Sequence, residues 1–336
     1  MQNLLDPAIL FFVFGVLAGA LKSDLEIPPA IAKFLSLYLL MALGLKGGFA
    51  LAESGLSATV MISLGAAMLM AVIVPALGYQ LLKRKVSRFD AAAIAASYGS
   101  VSAVSFVTAM QHLEAQQMAF GGHMAVAMVL MESPAIIMAV LLANSLRHGS
   151  PGVTTLSSSA GVDVATFGGP SEGAPLGKIL HESFTNGAHL LLLGAMAVGY
   201  LSGEAGKAVM APFSSDLFKG MLAFFLLDMG MMVARNFSSV RGQSPLLVAY
   251  ASIGPLIHAA IALVLAVLLQ LPAADAALLM VLSASASYIV VPAVLRYAIP
   301  EANPSLYFGL SLGITFPLNI LFGIPLYTSV ARQFLE

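Results

Sequence analysis

"AASYGSVSAVSFV" (Ala95–Val107) lies inside a long apolar segment, yet four serines and a glycine fall within nine of its residues. Ser100 and Ser102 are two positions apart. So are Ser283, Ser285 and Ser287 in "SASAS" (Ser283–Ser287). On a helix, residues two apart point in nearly opposite directions; in extended chain, alternate residues share a side. The spacing predicts that both segments unwind near the middle of the bilayer. Gly99 eases such a break, and Pro292 removes a helical N–H shortly after Tyr288. Unwound backbone at that depth must line a polar cavity or be buried in protein.

A broken helix leaves a second half whose N-terminus carries free N–H groups and a partial positive charge. Two such ends meeting at the centre form an anion site that needs no Arg or Lys. Serine hydroxyls add donors and can also accept. The arrangement suits a carbonate-like, carboxylate or sulfate ion. Small residues also let membrane helices pack closely; a serine cluster at matching places in both halves favours the binding site.

Composition sets the surroundings. The chain has 336 residues, 59% hydrophobic and only 9% charged, against about a quarter charged in soluble domains. Apolar runs long enough to span a bilayer recur along it. Its expected class is an all-α polytopic membrane protein with ten spans, near 7–22, 29–51, 57–83, 89–112, 119–146, 183–203, 211–235, 244–271, 275–298 and 305–331. The N-terminal "MQNLLDP" lacks a basic region, so the first run reads as a retained helix. Cys is absent, which excludes disulfides and thiolate metal sites. A net charge of −1 argues against nucleic acid as a partner.

Positive charge orients the spans. With the N-terminus outside, the inner side holds Lys22, Lys33, Lys83, Arg84, Lys85, Arg88, Arg147, Lys178, Arg235, Arg241 and Arg296. The outer side keeps Lys46, Lys207, Lys219 and Arg332. Both termini are therefore expected outside the cytoplasm, in a bacterial inner membrane. Residues 149–178, rich in Gly, Ser, Thr and Pro, read as a flexible cytoplasmic linker. It separates a first half, 1–148, from a second, 179–336.

The halves resemble each other. Asp90-Ala91-Ala92 matches Asp275-Ala276-Ala277 at an offset of 185, which aligns Ser100 and Ser102 with Ser285 and Ser287. Five spans is an odd number, so the second copy enters from the opposite side. Two inverted five-helix repeats, with broken helices 4 and 9, mark secondary transporters.

Glu132, near the centre of the fifth span, and Asp228, inside the seventh, are costly there and suggest an ion pathway. Either could hold Na⁺ or H⁺ through carboxylate oxygen, or could bridge helices. Thr315 sits opposite Glu132 in the repeat alignment as a neutral ligand. Lys46 in "GLKGG" (Gly44–Gly48) is expected to snorkel outward. The six histidines have no metal spacing, and no nucleotide motif occurs. An enzyme is not expected, and no cofactor beyond a coupling ion. Transport of another small anion, proton coupling, a passive anion channel and a non-transporting sensor stay open.

Several stretches resemble the sodium-dependent bicarbonate transporters of the SbtA type: "IPPAIAKF" (Ile27–Phe34), "GLKGG", "YGSVSAVSF" (Tyr98–Phe106), "LMESPAI" (Leu130–Ile136), "LRYAIPEANPSLYFG" (Leu295–Gly309) and "FGIPLY" (Phe322–Tyr327). The resemblance covers nearly all of the membrane part. It implies Na⁺-driven bicarbonate symport by a homotrimer of core and gate parts. It also implies a small PII-like protein as a candidate cytoplasmic regulator. Bicarbonate would lie at Gly99, Ser100, Val101 and Ser102, with Ser285 and Ser287 opposite. Na⁺ would lie near Glu132. The sequence departs from the family pattern after the second serine run. There Tyr288 stands where the family carries Asp, and "IVVP" (Ile289–Pro292) follows.

Overall fold

The computed structural model describes residues 6–55, 57–148, 187–237, 240 and 242–336. The central linker 149–178 lies outside the described residues. Among them every regular element is helical. They are α1 (Pro7–Ala20), α2 (Pro29–Ser54), α3 (Ala58–Leu82), α4 (Arg88–Gly99), α5 (Ala103–Ala115), α6 (His123–His148), α7 (Gly187–Ala211), α8 (Phe218–Asn236), α9 (Pro245–Leu268), α10 (Ala273–Ala284), α11 (Val290–Ala298) and α12 (Pro304–Leu335). Short polar residues begin many of these helices. Asp6, Ser57, Ser87, Ser244 and Asn303 each accept a bond from a first-turn N–H. Each such cap contributes about 1 kcal/mol.

Among the described residues, seven helical stretches are long and apolar enough to cross a membrane, Arg88–Ala115 and Leu190–Asn236 each taking in two of these helices. Pro7–Ala20 and Ala273–Ala284 are shorter apolar helices. The loop expected between 203 and 211 is helical instead. The chain kinks at Gly203 (φ 53°, ψ −144°) and continues to Ala211. A π-helical turn over Pro212–Asp216 then leads into α8. Glycine supplies the positive φ of the kink, and proline at the start of the π-turn has no N–H bond to lose.

Two helix pairs form one layer. On α1, Gly15 faces the backbone of Leu227 and Gly19 that of Met231, while Gly230 of α8 faces Phe12. Residue numbers rise together, so α1 and α8 run in the same direction. The same holds for α2 and α7, where Gly44 meets Leu192 and Gly48 meets Met196. A Cβ at Gly15, Gly44, Gly48 or Gly230 would overlap the facing carbonyl oxygen, so these glycines set the close approach.

The second layer holds the broken segments. α4 packs against α3 and α6, and α10 against α9 and α12. Every residue of α10 is buried, as are Ala91–Gly99 of α4. Helices buried all round carry apolar or small residues on every face. The outer helices show large apolar side chains instead, such as Leu201, Leu268 and Phe14.

Long-range straps join the elements. Asp90 Oδ1 accepts from Asn303 N at 2.7 Å, just before α12. Asp275 Oδ1 accepts from Gly121 N at 2.7 Å, just before α6. Arg147 grips Glu301 with two bonds of 2.8 Å, and that partner holds the Glu301 carboxyl below its ordinary range. Lys46 does not snorkel. It pairs with Glu114 at 2.8 Å and lies 4.3 Å over the Phe218 ring. A carboxylate and an aromatic face within reach outweigh extension toward water.

Candidate functional site

Both serine runs unwind in part; Ser283, expected extended with Ser285 and Ser287, is still in the last turn of α10. α4 ends at Gly99, and Ser100 is extended (φ −91°, ψ −177°). Ser102 is extended as well (φ −104°, ψ 110°) and begins α5. In the second half α10 ends at Ala284, Ser285 is extended (φ −84°, ψ 168°), and α11 starts at Val290. The alternate spacing of the serines was therefore a sound signal of extended chain.

The two breaks touch. Ser287 N donates to Ser97 O at 2.7 Å, and Ser102 N donates to Ser285 Oγ at 2.9 Å. Each satisfies a backbone group that unwinding would orphan. Asn319 of α12 does the same for the end of α10, donating from Nδ2 to Ala284 O at 2.8 Å; the Tyr327 hydroxyl holds its Oδ1 at 3.0 Å. Ser102 Oγ caps α5 by accepting from Ser105 N at 3.2 Å. Ser287 Oγ caps the second half-helix by accepting from Val291 N at 3.2 Å.

Three hydroxyls at this crossing, Ser97, Ser100 and Ser283, are buried and make no hydrogen bond. Each unpaired buried polar group costs about 1–3 kcal/mol. All three belong to the two segments that break, Ser97 and Ser283 one turn or less before a helix end and Ser100 in the first gap. An ion there would receive hydroxyl bonds and a positive helix end.

The structure brings Gly99, Ser100, Val101 and Ser102 together with Ser285 and Ser287. Gly99 lies against Pro75 of α3, whose ring leaves no room for a Cβ. Thr315 is one shell away. Its hydroxyl meets the Tyr98 hydroxyl at 2.7 Å and donates to Ala251 O at 2.7 Å, joining α12 to α4 and α9. It lies in a π-helical turn, Ser311–Thr315, a distortion often found at functional sites. Glu132 is buried on α6, with 6% of its surface exposed. Asp228 is half-buried on α8. Its neighbour Met229 reaches the second break, where the Tyr288 hydroxyl points at the methionine sulfur at 3.8 Å. Among the described residues there is no cluster of three or more His, Asp or Glu side chains able to hold a metal. A monovalent cation here would rely on hydroxyl and carbonyl oxygens with single carboxylates.

Several contributors escape sequence reading. Ser97 and Ser283 belong to the same serine-rich runs, but nothing in the spacing marks their hydroxyls as unpaired. Tyr98, Ser105 and Asn319 act through partners far along the chain or through caps. Tyr288 crosses to the first break. Ser102 Oγ donates to its hydroxyl at 3.5 Å, and its ring lies 5.1 Å from that of Phe316.

No curated protein matches this chain. A family model does: that of the Na⁺-dependent bicarbonate transporter superfamily matches residues 7–332. The match takes in both layers and both breaks. With crossed, unwound helices at the centre of an apolar helical protein, the chain belongs to the Na⁺-dependent bicarbonate transporter superfamily.

Proposed function

We propose that the crossing of the two breaks binds bicarbonate and that the protein imports it by symport with Na⁺. The observation behind this reading is the trio of unpaired buried hydroxyls, Ser97, Ser100 and Ser283, in the two touching segments where one half-helix ends and the next begins. Bicarbonate carries one O–H donor and several acceptor sites. Serine hydroxyls can serve both kinds. Neither Arg nor Lys is needed, because the helix ends supply the positive potential. Gly99, Ser100, Val101, Ser102, Ser285 and Ser287 form the anion site in this reading. Glu132, Asp228 and Thr315 provide oxygens for Na⁺, together with carbonyls freed at the breaks.

The same reading takes the two halves as inverted five-helix repeats with ten spans, assembled as a homotrimer in a bacterial inner membrane, both termini outside the cytoplasm. The paired straps support the repeats. Asp90 closes the approach to α12 in the second half, and Asp275 closes the approach to α6 in the first, each at 2.7 Å. The parallel α1–α8 and α2–α7 pairs are what two odd-numbered, oppositely inserted units require. The docking of a PII-like regulator rests on the family resemblance alone.

The Tyr288 and Phe316 rings favour a second reading, in which the cargo is a different small anion. They make one flank of the crossing apolar. Uptake of radiolabelled bicarbonate into proteoliposomes, with and without an inward Na⁺ gradient at fixed pH, separates the readings. Accumulation that requires Na⁺ is the expected result. Flux that ignores Na⁺ marks a channel, and no uptake by folded protein overturns bicarbonate as cargo.

A further inference from the structure

Two cavities enter the molecule from opposite faces along one seam. The first, about 460 Å³, opens at the face carrying the start of α1. Asp6 and Ile9 of α1, Gln111 of α5, Leu222 of α8 and Ile320 of α12 line it. The second, about 1090 Å³, opens at the face carrying Lys22 and Arg235. Phe12 and Val16 of α1, Val233 of α8, and Gly313 and Pro317 of α12 line it. Along α1 the first cavity reaches down to Ile9 and the second up to Phe12. Along α12 the first reaches Ile320 and the second Pro317 and Leu321.

The two linings meet on α12 at Ile320 and Leu321, and on α1 Phe12 ends the second cavity about one turn from Ile9 of the first; the Phe12 ring is held there by an aromatic stack. Phe12 meets Phe316 edge-on, with centroids 5.6 Å apart at 88°. Phe316 in turn lies 5.1 Å from Tyr288. Both phenylalanines are 1% exposed and Tyr288 is 4% exposed. The Tyr288 hydroxyl is the neighbour of Ser102 Oγ, so the stack borders the anion site itself.

We infer that the Phe12–Phe316–Tyr288 stack is the barrier that keeps the two cavities from joining, and that α1 moving past α12 opens it to one face at a time. This rests on the transport reading above. An apolar constriction excludes hydrated ions. Phe12 belongs to the glycine-packed α1–α8 pair, and Phe316 lies between the two π-helical turns of α12, Ser311–Thr315 and Asn319–Gly323. The contact thus joins a close-packed pair to a distorted helix.

The chain has no cysteine, so single thiols report access directly. Ile9→Cys and Val16→Cys are to be treated with a small charged methanethiosulfonate that does not cross membranes, in right-side-out and inside-out vesicles. The expected result is that the thiol at position 9 reacts from the α1-start face and the thiol at position 16 from the Lys22 face, each at least tenfold faster than from the other side. Adding Phe12→Ala should erase the sidedness of both and allow bicarbonate efflux without Na⁺. Equal reaction from both faces in the chain with intact rings overturns the barrier, as does full sidedness in folded Phe12→Ala protein. If Phe12→Ala gives no folded protein, Phe316→Ala repeats the test from the other helix, and the intact-ring comparison stands alone. Labelling needs neither bicarbonate nor Na⁺. A wrong cargo would leave it unchanged, and a wrong barrier would fail it even where Na⁺-driven uptake holds.

Discussion

At the first break the helix stops at Gly99 and resumes at Ala103; at the second it stops at Ala284 and resumes at Val290. The shorter gap is tightly finished. Gly99 presses on the Pro75 ring, and Ser102 both ends the gap and caps α5. The longer gap has no side-chain cap from Ile289, which adjoins α11; Ser287, farther back, supplies it. The extra length carries Tyr288 across to the first break, where its ring and hydroxyl occupy space between Phe316 and Ser102. One crossing can thus be made twice with the same serines and filled differently. In the proposed reading the backbone frame accommodates the ion, and the side chains after the second serine run shape what fits.

The sharpest way to break this comparison is to remove one hydroxyl from each side. Ser102→Ala with Ser287→Ala should lower Na⁺-driven uptake by roughly 100-fold or more, since hydrogen bonds to a charged ligand contribute about 1.5–3 kcal/mol each. Folding should survive, because each lost cap costs about 1 kcal/mol. The single variants weigh the two breaks against each other in the same assay. Equal losses mean the breaks share the ion evenly, and a dominant Ser102 means the shorter gap holds it.

A smaller effect separates the helix ends. Gly99→Ala forces a Cβ into the Pro75 ring and should destabilise the protein by about 1–3 kcal/mol, as overpacking does. Ala284→Gly at the matching end should cost only about 0.5–1 kcal/mol. Thermal unfolding in detergent ranks the two, and the reverse order would show that the shorter gap is not the tighter one. The smallest change is Tyr288→Phe. Its hydroxyl contacts are long, 3.5 and 3.8 Å, so stability should shift by less than about 1 kcal/mol. The KM for bicarbonate should rise about three- to tenfold with kcat unchanged, as uptake kinetics would show. An unaltered KM would assign Tyr288 to packing alone.

Much of this was legible in the sequence, for reasons that differ by residue. The period of two at Ser100/Ser102 and Ser285/Ser287 is a backbone property written locally, and it revealed both breaks. Membrane character followed from composition. The gap left between the expected spans 183–203 and 211–235 misled because a drop in hydropathy reads as a loop, whereas a kinked helix can carry the chain through it. The Lys46–Glu114 pair spans 68 positions and Tyr98–Thr315 spans 217, distances over which no local pattern carries information. Glu132 and Asp228 stood out as charges in apolar runs, but the oxygens that would join them around a cation depend on the packing of separate helices.

The bond from Ser287 N to Ser97 O joins main chain to main chain. No substitution except proline at position 287 deletes its donor, and none deletes its acceptor. The tie between the two segments is therefore untouched by most substitutions, whatever the side chains around it do. Over long descent, two such halves can lose nearly all likeness in their letters while their centres stay joined.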